Sequence, residues 1–188
     1  SAAGETTGNF TDIVSNANSL ASRADRLMEV ALRSGLRPLL LGVRKLLPIV
    51  QGGMGVGVSA HRLAGSVASM GAMGTIASVD LRHHHPDLLE RTASLPVAAG
   101  SKRIIDDANL EALSREIRMA RELSQGNGLL AVNVMRAVTE YAASVRRALQ
   151  CGIDAVVVGA GLPLDLPDLA KDHPNTLLIP ILSDARGI

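Results

Sequence analysis

The feature that most constrains the fold of this chain is an apolar segment that ends abruptly in glycines. Residues 48–57 read Pro-Ile-Val-Gln-Gly-Gly-Met-Gly-Val-Gly, which predicts a buried strand over residues 48–51 and then a glycine-rich turn. Glycine adopts backbone angles that a side chain forbids, and it lets a ligand approach the main chain closely. A strand, a glycine turn and a helix that begins at Ser59 can also hold a phosphorylated cofactor. We therefore predict that the main chain of this turn is a binding surface.

The glycine turn matches neither of two common phosphate-binding patterns. No Lys-Ser or Lys-Thr pair follows its last glycine, as a P-loop requires. Gly53, Gly55 and Gly57 begin like the dinucleotide pattern G-x-G-x-x-G, but position 60 is Ala, and Asp80 is only the nearest candidate for the acidic residue that should follow. A tight turn without a ligand is the alternative that the spacing leaves open.

Further apolar segments follow at regular intervals, with helical patterns between them. Strands that alternate with helices and read as continuous apolar runs indicate a parallel sheet covered on both faces. An open doubly wound sheet and a closed (β/α)8 barrel both fit, and both bind ligands at the carboxyl ends of their strands. The other predicted strands are residues 73–78, 129–135, 154–161 and 177–182; the predicted helices are residues 11–34, 59–70, 86–95, 110–123, 139–151 and 166–171, with a polar loop over residues 96–108.

Composition narrows the class of partner and the compartment. A net charge of +1 without a dense basic run argues against a nucleic-acid surface, and Phe10 and Tyr141 are the only aromatic residues, so little is available to stack on a base. No apolar run approaches the roughly 20 residues that span a bilayer. With Cys151 as the one cysteine, no internal disulfide is expected, and a reducing cytoplasm is the simplest compartment.

Polar or bare positions at the strand ends are the other site candidates. Asn133 places an amide inside an apolar strand, where it must bond either a neighbouring strand or a ligand. Residues 159–161, Gly-Ala-Gly, repeat the pattern of a strand followed by bare backbone, with a simple turn as the alternative. Ser183 and Asp184, after the fifth predicted strand, either cap a helix or face a pocket.

The histidines do not form a metal-binding pattern. His83, His84 and His85 are adjacent and so point in different directions, and no cysteine or HExxH partner is near. We interpret them as a solvated, partly helix-capping turn and predict no metal site. His61, at the start of the first helix of the repeating pattern, could approach a phosphate or lie on the surface.

Four segments together resemble one known family. They are PIVQGGMG at residues 48–55, AVNVM at 131–135, VVVGAGLP at 156–163 and IPILSDAR at 179–186. In this order they resemble the nitronate monooxygenases, formerly called 2-nitropropane dioxygenases, whose superfamily includes the flavin-dependent enoyl-ACP reductases. The resemblance implies a TIM (β/α)8 barrel, of which this chain holds about the first five strands, preceded by an N-terminal helix. Residues 1–45 are then a tail and helical extension, and residues 46–188 the N-terminal part of the barrel.

The resemblance also implies a cofactor, FMN, at the carboxyl ends of the strands. In that family the catalytic histidine lies in an AGGHxG-type motif after the next strand, and the turns that hold the FMN phosphate come later still. The expected histidine therefore lies beyond residue 188, and no catalytic base is assigned here. By resemblance, the cofactor-binding residues are Gln51, Gly52, Gly53, Met54, Asn133, Gly159, Ala160 and Ser183, and Gly161 borders the substrate side.

The preferred function is oxidation of alkyl nitronates by an FMN-dependent enzyme, with dioxygen and a small-molecule substrate as partners. The alternative within the superfamily is an enoyl-thioester reductase that uses NAD(P)H. The alternative of another class is an inactive fragment or a non-catalytic α/β scaffold, because an incomplete barrel exposes strand edges and an apolar face. No nucleic-acid or membrane partner is expected, and a homodimer stays open.

Overall fold

The structure alternates strands and helices along most of its length. It is a computed structural model that describes residue 19 and residues 22–96 and 99–184. In chain order its elements are α1 (residues 22–33), β1 (Leu39–Leu41), β2 (Arg44–Leu46), α2 (His61–Ser69), β3 (Met73–Ala77), a 3₁₀ turn (Leu81–His84), α3 (Pro86–Ala93), α4 (Ala99–Ser124), β4 (Leu129–Met135), α5 (Tyr141–Gln150), β5 (Ala155–Gly159), α6 (Leu166–Leu169) and β6 (Leu177–Pro180).

The main sheet is parallel, and its strands lie side by side in chain order. Strands β3, β4, β5 and β6 pair in that sequence. The predicted first strand joins this sheet through a single bridge, Val50 to Met73. Two backbone bonds frame that bridge: Gln51 N–H donates to the Met73 carbonyl at 2.9 Å, and Met73 N–H donates to the Ile49 carbonyl at 3.1 Å.

The order of the strands and the side on which the helices lie decide between the two predicted architectures. A doubly wound sheet reverses its strand order and carries helices on both faces. Here the order never reverses, and α2, α4 and α5 all pack on the face that carries Ile76, Val132 and Val156. The fold is therefore the α/β arrangement of a partial TIM barrel, as predicted.

The opposite face of the sheet corresponds to the inside of a barrel. Side chains alternate between the two faces of a strand, so Met73, Leu129 and Ala155 point inward. A hairpin of β1 and β2, which the sequence analysis did not predict, packs its leucines against these residues at the amino ends of the strands. The hairpin thus covers one end of the inner face, while the carboxyl ends stay open for a site.

Several local predictions were wrong. Residues 48–51, predicted as a buried strand, form only the Val50 bridge, and Ile49 and Val50 are more than half exposed. Residues 99–108, expected as part of a polar loop, belong to the 26-residue helix α4. The inward face of that first stretch carries small residues such as Ser101 and Ala108, both buried, so it lacks the leucine periodicity that marks the rest of the helix. The helix predicted to begin at Ser59 begins at His61, with Ala60 as its N-cap.

The predicted N-terminal helix is observed in part. Residues 22–33 are helical, and the remainder of the predicted span, apart from residue 19, lies outside the described residues. Within the described residues, the structure has no helix of the length and hydropathy needed to cross a bilayer.

Candidate active site

The glycine turn lies against the fourth strand at one specific contact. Gly53 leaves no room for a side chain, because a β-carbon built there would stand 2.5 Å from Asn133 Cβ and 3.0 Å from Asn133 Cγ. Real β-carbons essentially never approach another atom so closely. The sequence thus places a glycine where two segments 80 positions apart meet, and Gly53 and Asn133 form one continuous surface.

This surface offers several polar groups to a ligand. Within the described part of the chain, the N–H groups of Gly52 and Gly53 donate no hydrogen bond, and the side-chain amide of Asn133 has no partner. Gly52 is exposed, with open space where a β-carbon would be, while Gly53 and Asn133 are half-buried. Two backbone donors and one amide without partners therefore lie next to each other. We call these three residues the ledge.

Ser59 fixes the conformation of the turn from behind. Its side chain is fully buried, and its hydroxyl accepts from Met54 N–H at 2.9 Å and donates to the Gly52 carbonyl at 3.1 Å. Ser59 N–H also donates to the Met54 carbonyl at 3.0 Å. Because these bonds hold Gly52 and Met54 at fixed positions, the ledge is formed before any ligand arrives.

The side chain of Gln51 is used within the protein. Its amide oxygen accepts from Thr75 N–H at 2.8 Å, and its amide nitrogen donates to the Thr75 carbonyl at 3.1 Å and to Ser59 Oγ at 2.9 Å. The side chain therefore continues the sheet beyond the Val50 bridge. The Gln51 N–H also donates to the Met73 carbonyl, so within the described residues only the backbone carbonyl of Gln51 has no partner.

The other predicted residues form a second wall at the same edge of the sheet. Gly159 of β5 pairs with Met135 of β4, and Met135 is two residues beyond Asn133 on that strand. Ala160 follows in the left-handed region at φ +55°, a conformation that costs a non-glycine residue roughly 1–2 kcal/mol and often marks a functional position. A cavity of about 410 Å³ opens here, lined by Ala160, Gly161, Leu162, Ile181, Leu182, Ser183 and Asp184.

A charged cluster supports this second wall. The side chain of Arg136 packs against Gly161, and its guanidinium lies 4.6 Å from the centre of the Tyr141 ring. Arg136 Nε is also 3.3 Å from Asp165 Oδ1. Burial and then the negative charge of Asp165 raise the pKa of the Tyr141 hydroxyl above its ordinary value. The phenol therefore stays neutral at physiological pH and acts as packing beneath the wall.

A buried carboxylate occupies the N-terminus of α2. Glu116 of α4 is fully buried, and its Oε2 accepts from the backbone N–H of His61 at 2.6 Å and lies 2.8 Å from His61 Nδ1. Helix N-termini attract anions through their free N–H groups and their dipole. Because a carboxylate of the protein already takes that position, the helix after the glycine turn is not available to a ligand phosphate.

This carboxylate was not predicted from the sequence, and the prediction for one of its partners was wrong. His85, expected in a solvated turn, is buried, with Nε2 3.1 Å from Glu116 Oε1. A signal was present, since the helical period that turns Leu113 and Ile117 inward also turns Glu116 inward. Within the described residues, no group of three histidine, cysteine, aspartate or glutamate side chains is arranged to hold a metal ion.

The predicted residues form two groups at the carboxyl edge of the sheet. One group of predicted residues, Gly52 and Gly53 with Asn133, has two unbonded backbone N–H groups and an amide at the carboxyl end of the sheet. A second group, Ala160 and Gly161 with Ser183, borders a cavity at the same edge. Ligands of barrel proteins bind at this end, so the sequence-predicted residues meet where a site is expected.

Comparison with known proteins supports the fold. The sequence matches no family model and no curated protein. Among solved structures, it is similar to FabK from Thermotoga maritima, with a TM-score of 0.52 and 18% sequence identity. The match covers 74% of this chain and 35% of the FabK chain, so this chain spans about a third of that protein's length. The shared feature is the TIM-barrel fold.

Proposed function

We propose that this chain is the N-terminal part of a flavin-dependent oxidoreductase that binds FMN with its ring system on the ledge. The observation that carries this proposal is the juxtaposition of Gly53 and Asn133, which places two unpaired backbone N–H groups beside an unpaired amide. An isoalloxazine ring is flat and carries alternating donors and acceptors along one edge, so it matches such a surface.

The protein's part in this proposal is binding and orientation. A flavin, when bound, supplies the redox chemistry. Gly52 and Gly53 would donate to the acceptors of the ring, and the Asn133 amide can both donate and accept. Because Glu116 already occupies the N-terminus of α2, the phosphate would be bound elsewhere in the complete barrel. This interpretation replaces the first expectation for the glycine turn, that of a phosphate site.

Oxidation of alkyl nitronates with dioxygen is the reaction we propose first. The order of the four segments that resemble nitronate monooxygenases supports it, as does the cavity beside Gly161, which would admit a small substrate. None of the described histidines is assigned as the base: His61 and His85 contact Glu116, and His84 packs on Gly57. In the complete protein, further βα units would supply the remainder of the site.

Reduction of an enoyl thioester with NAD(P)H is the second candidate. The structural neighbour FabK is a flavin-dependent enoyl-ACP reductase, and it shares the fold of this chain. A common fold hosts different reactions, so the neighbour favours this candidate without deciding the substrate.

Reduction of the flavin without oxygen separates the two reactions. The full-length polypeptide would be loaded with FMN and mixed anaerobically with either an alkyl nitronate or NAD(P)H, while the visible absorbance is followed. Nitronate oxidation predicts bleaching by the nitronate and little change with NAD(P)H. Bleaching by NAD(P)H, followed by reoxidation with a crotonyl thioester, would favour the reductase. A protein that binds no flavin would overturn both candidates.

A further inference from the structure

We propose that Glu116 is a positioning residue, which holds the glycine turn in place through His61 on one side and the histidine-rich turn on the other. This assignment gives a role to the His83–His85 segment, which the proposed function does not use. The set of Glu116, His61, His84 and His85 is called the clamp below. Its link to flavin binding rests on the proposed function; its effect on the turn does not.

The first arm of the clamp fixes the helix that follows the turn. Glu116 Oε2 is bonded to both the backbone N–H and the ring of His61, the first residue of α2. Two residues earlier, Ser59 is bonded to Gly52 and Met54. Any shift of the α2 N-terminus would therefore be transmitted through two residues to the ledge.

The second arm reaches the far end of the turn. Glu116 Oε1 lies 3.1 Å from His85 Nε2 at the end of the 3₁₀ turn, an ion-pair contact without hydrogen-bond geometry. The adjacent ring of His84 covers Gly57, where a β-carbon would stand 2.0 Å from His84 Nε2. Gly57 has φ +75°, a conformation that glycine adopts readily. The histidine-rich turn thus packs directly on the glycine turn.

Burial makes this carboxylate an unusual choice for a merely structural contact. The Glu116 side chain is fully buried, and in the described part of the chain its ion-pair partners are the two histidines alone. The nearby cation Arg115 pairs instead with Asp87 and Glu111. A buried charge is costly to desolvate, and an apolar residue often packs as stably in its place. The presence of a carboxylate at position 116 is explained if Glu116 is needed to fix the two segments that flank the ledge.

Hydrogen exchange measured by mass spectrometry tests the clamp without any ligand. The full-length polypeptide would carry Glu116→Gln, with Glu122→Gln, an exposed residue of the same helix, as the matched control. We expect exchange of the bonded amides of Met54 and Ser59 to accelerate by at least about tenfold in Glu116→Gln, while amides of β4 and β5 keep their protection. His84→Ala changes only an exposed side chain and should loosen the same amides to a smaller extent.

A parallel FMN titration separates this inference from the proposed function. If FMN binds, Glu116→Gln should weaken its affinity by at least about tenfold and Glu122→Gln should leave it unchanged. A wild-type protein that binds no FMN would overturn the proposed function, and the exchange data would still decide the clamp. Unchanged exchange over residues 52–60 in both Glu116→Gln and His84→Ala, or acceleration spread equally over the sheet, would overturn the clamp.

Discussion

Gly53 and Asn133 touch so closely that only a glycine can stand at position 53. A β-carbon there would lie 2.5 Å from Asn133 Cβ, while the same construction at Gly52 meets nothing within 4 Å. The two neighbouring glycines therefore have different reasons to lack a side chain. Gly53 makes room for another residue of the protein, whereas Gly52 leaves space open to solvent or a ligand.

Alanine substitutions at these two positions should differ in their effect on the stability of the fold. Gly53→Ala overpacks the contact with Asn133 and is expected to lower the free energy of unfolding by about 1–3 kcal/mol. Gly52→Ala has no such neighbour and should change it by less than about 0.5 kcal/mol. Urea unfolding of the two variants measures the difference. Equal losses of stability in both would contradict the close contact.

The Asn133 amide should matter for the ligand more than for the fold. Because its amide makes no hydrogen bond within the described residues, Asn133→Ala is expected to weaken FMN affinity by at least about tenfold, or roughly 1.4 kcal/mol, with little loss of stability. Flavin fluorescence titration measures this affinity. Asn175→Ala, at an exposed position before β6, is the control. An affinity that stays at the wild-type value in Asn133→Ala would remove this residue from the site.

Replacing Ser59 should change both the free energy of unfolding and FMN binding. Its buried hydroxyl bonds Met54 and Gly52, so Ser59→Ala leaves the Met54 N–H unpaired and removes one of the two bonds to the Gly52 carbonyl. It should lower the free energy of unfolding by about 1–3 kcal/mol. The turn would also loosen, which should weaken FMN binding. Ser66→Ala, at an exposed position of α2, provides the comparison. If Ser59→Ala matched Ser66→Ala in both assays, the turn would not depend on this hydroxyl.

The raised pKa of Tyr141 predicts that the stability of the protein falls at alkaline pH. Burial and the charge of Asp165 raise the pKa of its hydroxyl in the folded protein, so the folded state holds this proton more tightly than the unfolded chain does. The resulting stabilisation is complete below about pH 10 and is lost as the pH rises through the folded pKa. Tyr141→Phe cannot lose that proton.

Urea unfolding at about pH 8 and about pH 11 measures the effect. Relative to Tyr141→Phe, the wild-type protein should lose stability between the two values. A constant difference between the two proteins over this range would show that Tyr141 has an ordinary pKa.

The strands were predictable because each is a short apolar run that ends in a glycine or a polar residue. Residues 129–135 were predicted with the observed bounds, and residues 73–78 were one residue too long. The first strand was harder, since only Val50 pairs in the regular pattern and the Gln51 side chain completes the pairing. The spacing of apolar residues cannot reveal that the Gln51 side chain makes the hydrogen bonds of a strand backbone.

The site was predictable only in outline. The glycines and Asn133 stood out because bare backbone and a lone amide are unusual in apolar segments. The contact between Gly53 and Asn133 depends on the parallel register across two strands, which no local pattern contains. The pairing of Glu116 with His61 and His85 joins residues 55 and 31 positions apart, so it also required the packed structure.

The visible absorbance spectrum of the purified full-length protein shows whether FMN binds to this fold. If FMN lies on the ledge formed by Gly52, Gly53 and Asn133, the protein should show the absorbance bands of a bound oxidised flavin, or acquire them on adding FMN. The bound flavin should remain after gel filtration. A protein that stays colourless after incubation with FMN and gel filtration would contradict the account.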